Sequence, residues 1–131
     1  MKVLIVEDDF VSRNLLLELF SPFSKCDLAV NGKEAMEAFK KSIEEKDYYD
    51  LITLDIMMPE MDGEETLEHI RNLEEEAGIY GLSRCKIIMT TALDDPSTIM
   101  KSFRNQTDAY IVKPIDAKNL MHQLQYLGLV A

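Results

Sequence analysis

The chain has 131 residues, 47% of them hydrophobic and 29% charged. That is enough for one domain with a buried core and too little for two of ordinary size. Its 14 basic and 24 acidic residues leave a net charge of −10, which disfavours binding to nucleic-acid phosphates or to anionic membrane surfaces.

Taken in chain order, Lys2–Val6 is a continuous apolar run, the pattern of a strand buried on both faces. From Val11 the spacing changes: Val11, Leu15 and Leu19 form a helical stripe that Ser21-Pro22 ends. Cys26–Val30 reads as a second strand. Asn31 caps a second helix in a capping-box-like pattern with Glu34, and Ala35, Met36, Phe39 and Ile43 form its apolar face. Asp50–Leu54 is a third strand. After a loop containing Pro59, Asp62 caps a third helix with Leu67, Ile70 and Leu73 inside. Glu74-Glu75-Glu76 reads as a solvated helix face, and Gly78 to Arg84 as a loop. Lys86–Thr90 is a fourth strand. Asp95-Pro96 opens a fourth helix with Ile99 and Phe103 on one face. Ala109–Val112 is a fifth strand, and Asp116 caps a fifth helix carrying Leu120, Leu124 and Leu127. Strict alternation of this kind predicts an α/β fold, a doubly wound five-stranded parallel sheet with five helices on its two faces.

No apolar run approaches the roughly 18 residues that spanning a bilayer requires, and Val3–Val6 is too short for a signal-peptide core. Cys26 and Cys85 lack metal-ligand spacing and read as reduced thiols of a cytoplasmic protein.

In an open parallel sheet, ligands bind beyond the carboxyl ends of the strands, where the strand order reverses. The strands here end in Glu7-Asp8-Asp9, Asp55, Thr90-Thr91 and Lys113-Pro114. Clustered carboxylates repel one another unless a cation joins them. Mg²⁺ takes oxygen ligands and shares its shell with water and phosphate oxygens. A lysine and a threonine opposite the acids suit phosphoryl oxygens, and a buried carboxylate can act as the nucleophile. The set points to phosphoryl transfer.

At these residues the chain resembles the receiver domain of two-component response regulators, in particular the stand-alone chemotaxis type. The matching pieces are Val3-Leu4-Ile5-Val6-Glu7-Asp8-Asp9, Asp55-Ile56-Met57-Met58-Pro59-Glu60-Met61-Asp62-Gly63, Thr91-Ala92 and Lys113-Pro114. The resemblance runs from Val3 to about Leu127. It implies a flavodoxin-like receiver fold with strand order 2-1-3-4-5, over a single domain spanning residues 1–131 and without an output domain. It also implies that Asp55 is the phosphoacceptor, that Asp8 binds Mg²⁺ (or Mn²⁺) directly and Glu7 through water, and that Asp55 and the Met57 backbone carbonyl complete the protein ligands. Thr91 would bond the phosphoryl group, Lys113 would pair with one of its oxygens, and Tyr110 would change rotamer together with Thr91. The Lys113-Pro114 peptide is expected to be cis. The implied partners are a sensor histidine kinase or histidine phosphotransfer protein as donor and a downstream protein target, with no nucleic acid and no membrane. The target would read the surface of the fourth helix, fifth strand and fifth helix. The implied function is a signalling switch rather than a classical enzyme, acting in the cytoplasm.

The chain departs from the resemblance between Glu74 and Lys86, which is longer than the family minimum and reads as a neutral insertion. Asp9, Asp62, Asp95 and Asp116 read as helix caps, and His69 and His122 as solvent-facing. Three other functions compete. An aspartyl-phosphate phosphatase or phosphotransferase of the haloacid-dehalogenase kind needs a second Asp two residues after the nucleophile, where this chain has Met57. A flavin-binding domain needs a Ser/Thr/Gly-rich phosphate loop after the first strand, where this chain is acidic. A degenerate receiver serving as a protein-binding scaffold would not need the full set of Glu7, Asp8, Asp55, Thr91 and Lys113.

Overall fold

Aliphatic runs build the centre of the sheet. β1 (Lys2–Val6), β3 (Leu51–Asp55) and β4 (Lys86–Thr91) are buried along their length except for the leading Lys2 and Lys86. That is the burial of central parallel strands covered on both faces. β2 (Lys25–Ala29) and β5 (Ala109–Val112) flank them at the edges and are less buried. The computed structural model describes residues 1–58, 61–92 and 107–131. All neighbouring strands pair in parallel, in the order β2-β1-β3-β4-β5 that the resemblance implies.

The period of two along each strand divides the core into two layers. Leu4, Val6, Ile52, Leu54, Ile87 and Met89 meet α2 (Gly32–Glu44) and α3 (Gly63–Glu76) through Phe39, Leu67 and Ile70. Val3, Ile5, Leu51, Ile88 and Ile111 meet α1 (Phe10–Phe20) and the C-terminal helix (Ala117–Tyr126) through Leu16, Phe20, Leu120 and Leu124. The expected fourth helix, with Asp95, Pro96, Ile99 and Phe103, lies outside the described residues, as do Pro59 and Glu60.

Each described α-helix starts at a capping side chain the sequence predicts. Asp9, Asn31, Asp62 and Asp116 accept hydrogen bonds from the backbone N–H groups of Ser12, Glu34, Glu65 and Asn119 at 2.9, 2.8, 2.9 and 2.7 Å. Each such cap contributes about 1 kcal/mol. Glu34 reaches back as a capping box would, but its Oε1 accepts from the N–H of Val30 at 3.0 Å, one residue before the cap.

Two expectations are corrected. The buried positions of α1 are Leu16 and Phe20; Leu15 and Leu19 are half-buried, and Val11 is 72% exposed. Leu15-Leu16-Leu17 fits more than one helical phase, and the phase that wins lets Leu16 and Phe20, one turn apart, reach the sheet together. Glu74 is not solvated. It falls seven residues after Leu67, on the buried stripe of α3, and is 1% exposed. Arg71, also buried, compensates it: Nη1 donates to Glu74 Oε1 at 2.6 Å and to the Cys85 carbonyl at 2.9 Å, and Nη2 donates to Asp108 Oδ2 at 3.1 Å. Glu75 and Glu76 are exposed, as expected. The boundaries of β2, β3 and β4 differ from the predicted ones by a single residue at one or both ends.

Candidate functional site

The parallel register brings the predicted strand ends together. Val6 pairs with Leu54, so Glu7 and Asp8 leave β1 beside Asp55, the last residue of β3. Asp55 pairs with Thr90 of β4, and Thr91 pairs with Val112, the residue before Lys113. The site therefore lies between β1 and β3, where the strand order reverses, at the carboxyl edge of the sheet.

Glu7 is fully buried, Asp55 is 3% exposed, and Asp8 faces solvent. One carboxylate oxygen from each of the three lies within 4.8 Å of the others. Lys113 reaches in from the end of β5. Its Nζ donates to Glu7 Oε1 at 3.0 Å, stands 2.9 Å from Glu7 Oε2 and 3.5 Å from Asp55 Oδ1. The backbone N–H of Met57 donates to Asp55 Oδ1 at 3.3 Å, and that of Asp9 donates to Glu7 Oε1 at 3.2 Å.

Three carboxylates thus face one ammonium, and the excess negative charge sits in a largely dry site. Burial, and after it the charge of Glu7, pushes the Asp55 carboxyl up to about 7, against the opposing pull of Lys113. Burial alone would lower the Lys113 pKa, but the hydrogen bond to Glu7 and the Asp55 and Glu7 charges outweigh it and hold it above its ordinary value. Glu7 Oε2 is buried, and the Lys113 ammonium 2.9 Å away meets it without an aligned hydrogen bond. A hard divalent cation fits this donor set: it supplies the missing positive charge, and oxygen is its preferred ligand. Asp9 stands apart from the three. Its carboxylate caps α1, and its pKa is lowered chiefly by the Ser12 N–H.

Thr91 is fully buried at the end of β4, and its carbonyl accepts from the N–H of Lys113 at 2.6 Å. Tyr110 is half-buried on β5 and packs on the core layer of Met89, the layer toward which Thr91 also alternates. The Lys113-Pro114 peptide is cis, as expected. His69 and His122 are exposed, and neither belongs to the acidic cluster found among the described residues.

Two contributors escape a reading of the sequence alone. Arg13 Nη1 donates to the carbonyls of Glu7 and Asp8 at 3.0 and 3.2 Å, which fixes the backbone turn that carries both acids. Its only signal is a cation in the first turn of a helix that follows an acidic cluster. Gly63 opens α3 directly beneath Asp55: a Cβ there would stand 2.5 Å from the Asp55 carbonyl oxygen and 2.7 Å from Ile56 Cα. Only glycine permits that approach. The Asp62-Gly63 pair is visible in the sequence, but the contact is not.

Comparison with known proteins agrees with this architecture. A family model for the response regulator receiver domain matches residues 3–125. The chemotaxis protein CheY of Halobacterium salinarum is 36% identical over 121 residues, covering 92% of this chain and 90% of the relative. Among solved structures, the receiver domain of the histidine kinase CKI1 from Arabidopsis thaliana, complexed with Mg²⁺ and BeF₃⁻, superimposes with a TM-score of 0.82 at 26% identity, covering 98% of this chain and 90% of that one. A chain of the CheX–CheY complex with BeF₃ and Mg²⁺ from Borrelia burgdorferi gives a TM-score of 0.81 at 27% identity, covering 100% of this chain and 90% of that one. The fold, the family match over nearly the whole length and the acidic strand-end site agree: the chain belongs to the response regulator receiver domain family.

Proposed function

We propose that this receiver domain is a phosphorylation switch with Asp55 as its phosphoacceptor. The observation that carries the proposal is the meeting of the Glu7, Asp8 and Asp55 carboxylates, within 4.8 Å of one another, with the Lys113 ammonium 3.5 Å from Asp55. The donor is a phosphohistidine on a sensor histidine kinase or histidine phosphotransfer protein. A carboxylate oxygen of Asp55 forms a bond to phosphorus as the P–N bond breaks, and the electron pair stays with the departing imidazole nitrogen. Lys113 pairs with a phosphoryl oxygen, and the Thr91 hydroxyl donates to another.

Glu7, Asp8, Asp55 and the carbonyl of Met57 would hold Mg²⁺ (or Mn²⁺), Glu7 through a water. When bound, the ion supplies positive charge that offsets the acids and the phosphoryl oxygens. Phosphorylation draws Thr91 and Tyr110 inward and shifts a two-state equilibrium of the surface that includes β5 and the C-terminal helix. A downstream protein target reads that surface in the cytoplasm, and residues 1–131 act as one domain by protein contact. Hydrolysis returns Asp55 and inorganic phosphate.

The proposal is tested by intact mass after incubation with acetyl phosphate, with and without Mg²⁺, on the wild type and Asp55→Asn. The expected result is a gain of one phosphoryl group that requires both Mg²⁺ and Asp55. An equal gain in Asp55→Asn, or no gain in folded wild-type protein, refutes the assigned chemistry.

A further inference from the structure

The amino edge of the sheet, opposite the acidic site, carries a second concave surface. A groove of about 660 Å³ runs between Tyr48–Asp50, which precedes and enters β3, the 78–84 loop and Leu129. This is the stretch that exceeds the family minimum, and its placement argues against a neutral insertion. Leu82 projects from the short 3₁₀ turn Gly81–Ser83 at 95% exposure, with Tyr80 at 63% and Tyr48 at 49% beside it. Large apolar side chains gathered in this way on a soluble surface mark interaction sites.

The loop is held in a fixed shape. Glu74 Oε2 accepts from the N–H of Cys85 at 2.7 Å, and Arg71 binds both Glu74 and the Cys85 carbonyl, so one buried ion pair ties the loop's two ends. The Tyr80 hydroxyl donates to the Glu75 carbonyl at 3.2 Å, and Gly78 and Gly81 take the left-handed conformation that the turns require. A pre-shaped loop loses little entropy when it binds.

The charge of the groove is opposite to that of the molecule. In a chain of net charge −10, Arg84 and Lys86 line it. Arg84 is half-buried and, among the described residues, has no ion pair or hydrogen bond from its guanidinium. Lys86 meets Asp108 only at 4.0 Å. The one acid in the lining, Asp50, already accepts from the N–H of Lys2 at 2.8 Å. A half-buried guanidinium in a groove that Leu82 and Tyr48 also line selects a carboxylate over a neutral or basic group.

We propose that this groove is a docking site for a partner-protein segment that combines apolar side chains with a carboxylate, the apolar part packing on Leu82 and Tyr48 and the carboxylate pairing with Arg84. It is separate from the phosphoryl site and does not depend on the role of Asp55.

The test selects a random peptide library displayed on phage against the full chain, then measures the enriched peptides by fluorescence anisotropy. Enriched peptides should pair leucine, phenylalanine or methionine with Asp or Glu. Their affinity should fall about tenfold or more, the loss of a single buried charge pair, in Arg84→Glu and in Leu82→Ser, and stay unchanged in Asp55→Asn. Leu82→Ser alters a side chain with almost no intramolecular contact, so it serves as the probe if Arg84→Glu does not fold. No enrichment, an excess of basic peptides, or equal binding to both variants overturns the proposal. So does a concentration-dependent dimer of the wild type in sedimentation that Leu82→Ser abolishes, since a second copy would then be the occupant.

Discussion

Replacing Asp55 by Asn removes a carboxylate that the fold holds at a cost. The cause is visible in the geometry: Asp55 is 3% exposed, it neighbours buried Glu7, and it shares the single ammonium of Lys113 at 3.5 Å. Its folded pKa, pushed up to about 7, lies above the ordinary value of 3.8. A group raised in the folded state favours folding most below its unfolded pKa, and that contribution is lost as the pH rises through its folded pKa. At about 1.4 kcal/mol per pH unit, the penalty at pH 8 reaches a ceiling of about 4 kcal/mol. Asp55→Asn should therefore match the wild type near pH 4 and exceed it by about 1–4 kcal/mol at pH 8 in a metal-free buffer. Urea unfolding of both proteins across that range measures the gap. Adding Mg²⁺ should stabilise the wild type and narrow it, because a ligand of the folded state adds to stability. A gap that does not change with pH, or a variant less stable than the wild type at pH 8 without metal, refutes the electrostatic reasoning.

The remaining predictions use other parts of the structure. Gly63→Ala drives a methyl group into the Asp55 and Ile56 backbone and should cost about 1–3 kcal/mol in urea unfolding, with weaker Mg²⁺ binding by calorimetry; an unchanged protein would mean the close approach is not obligatory. Glu74→Ala leaves the N–H of Cys85 without its acceptor and strips Arg71 of a buried acidic partner. It should destabilise by about 2–4 kcal/mol, and a change near zero would return Glu74 to the solvated class. Lys113→Met should retain Mg²⁺ binding while its rate of modification by acetyl phosphate falls about a hundredfold or more; a wild-type rate would remove Lys113 from the chemistry.

The sheet was legible because its strands are short apolar runs bounded by helical spacing, and β1 and β5 fall where the pattern places them. The site was legible for a topological reason: in a parallel sheet, every residue that follows a strand arrives at the same edge, so Glu7, Asp8, Asp55, Thr91 and Lys113 could be grouped without coordinates. What escaped depends on three-dimensional proximity that no local pattern carries. The bond from Arg13 to the carbonyls of Glu7 and Asp8 involves backbone acceptors, which leave no trace in the residue types. The phase of α1 was hidden by three consecutive leucines. Glu74 resembled its two exposed neighbours in charge, and only its spacing from Leu67 and Ile70 set it apart. The apolar display of Leu82 and Tyr80 depends on how the loop is tied at Cys85, a contact between α3 and the residue before β4 that sequence spacing does not reveal.

The central claim is that the phosphoryl group resides on Asp55. Its most direct test is to treat the chain with acetyl phosphate and Mg²⁺, reduce the acyl phosphate with borohydride, and sequence the peptides by tandem mass spectrometry. The account predicts that position 55 is converted to homoserine and that omitting Mg²⁺ abolishes the conversion. Conversion at Asp8, Asp9 or any other carboxylate, with residue 55 still aspartate, would contradict it.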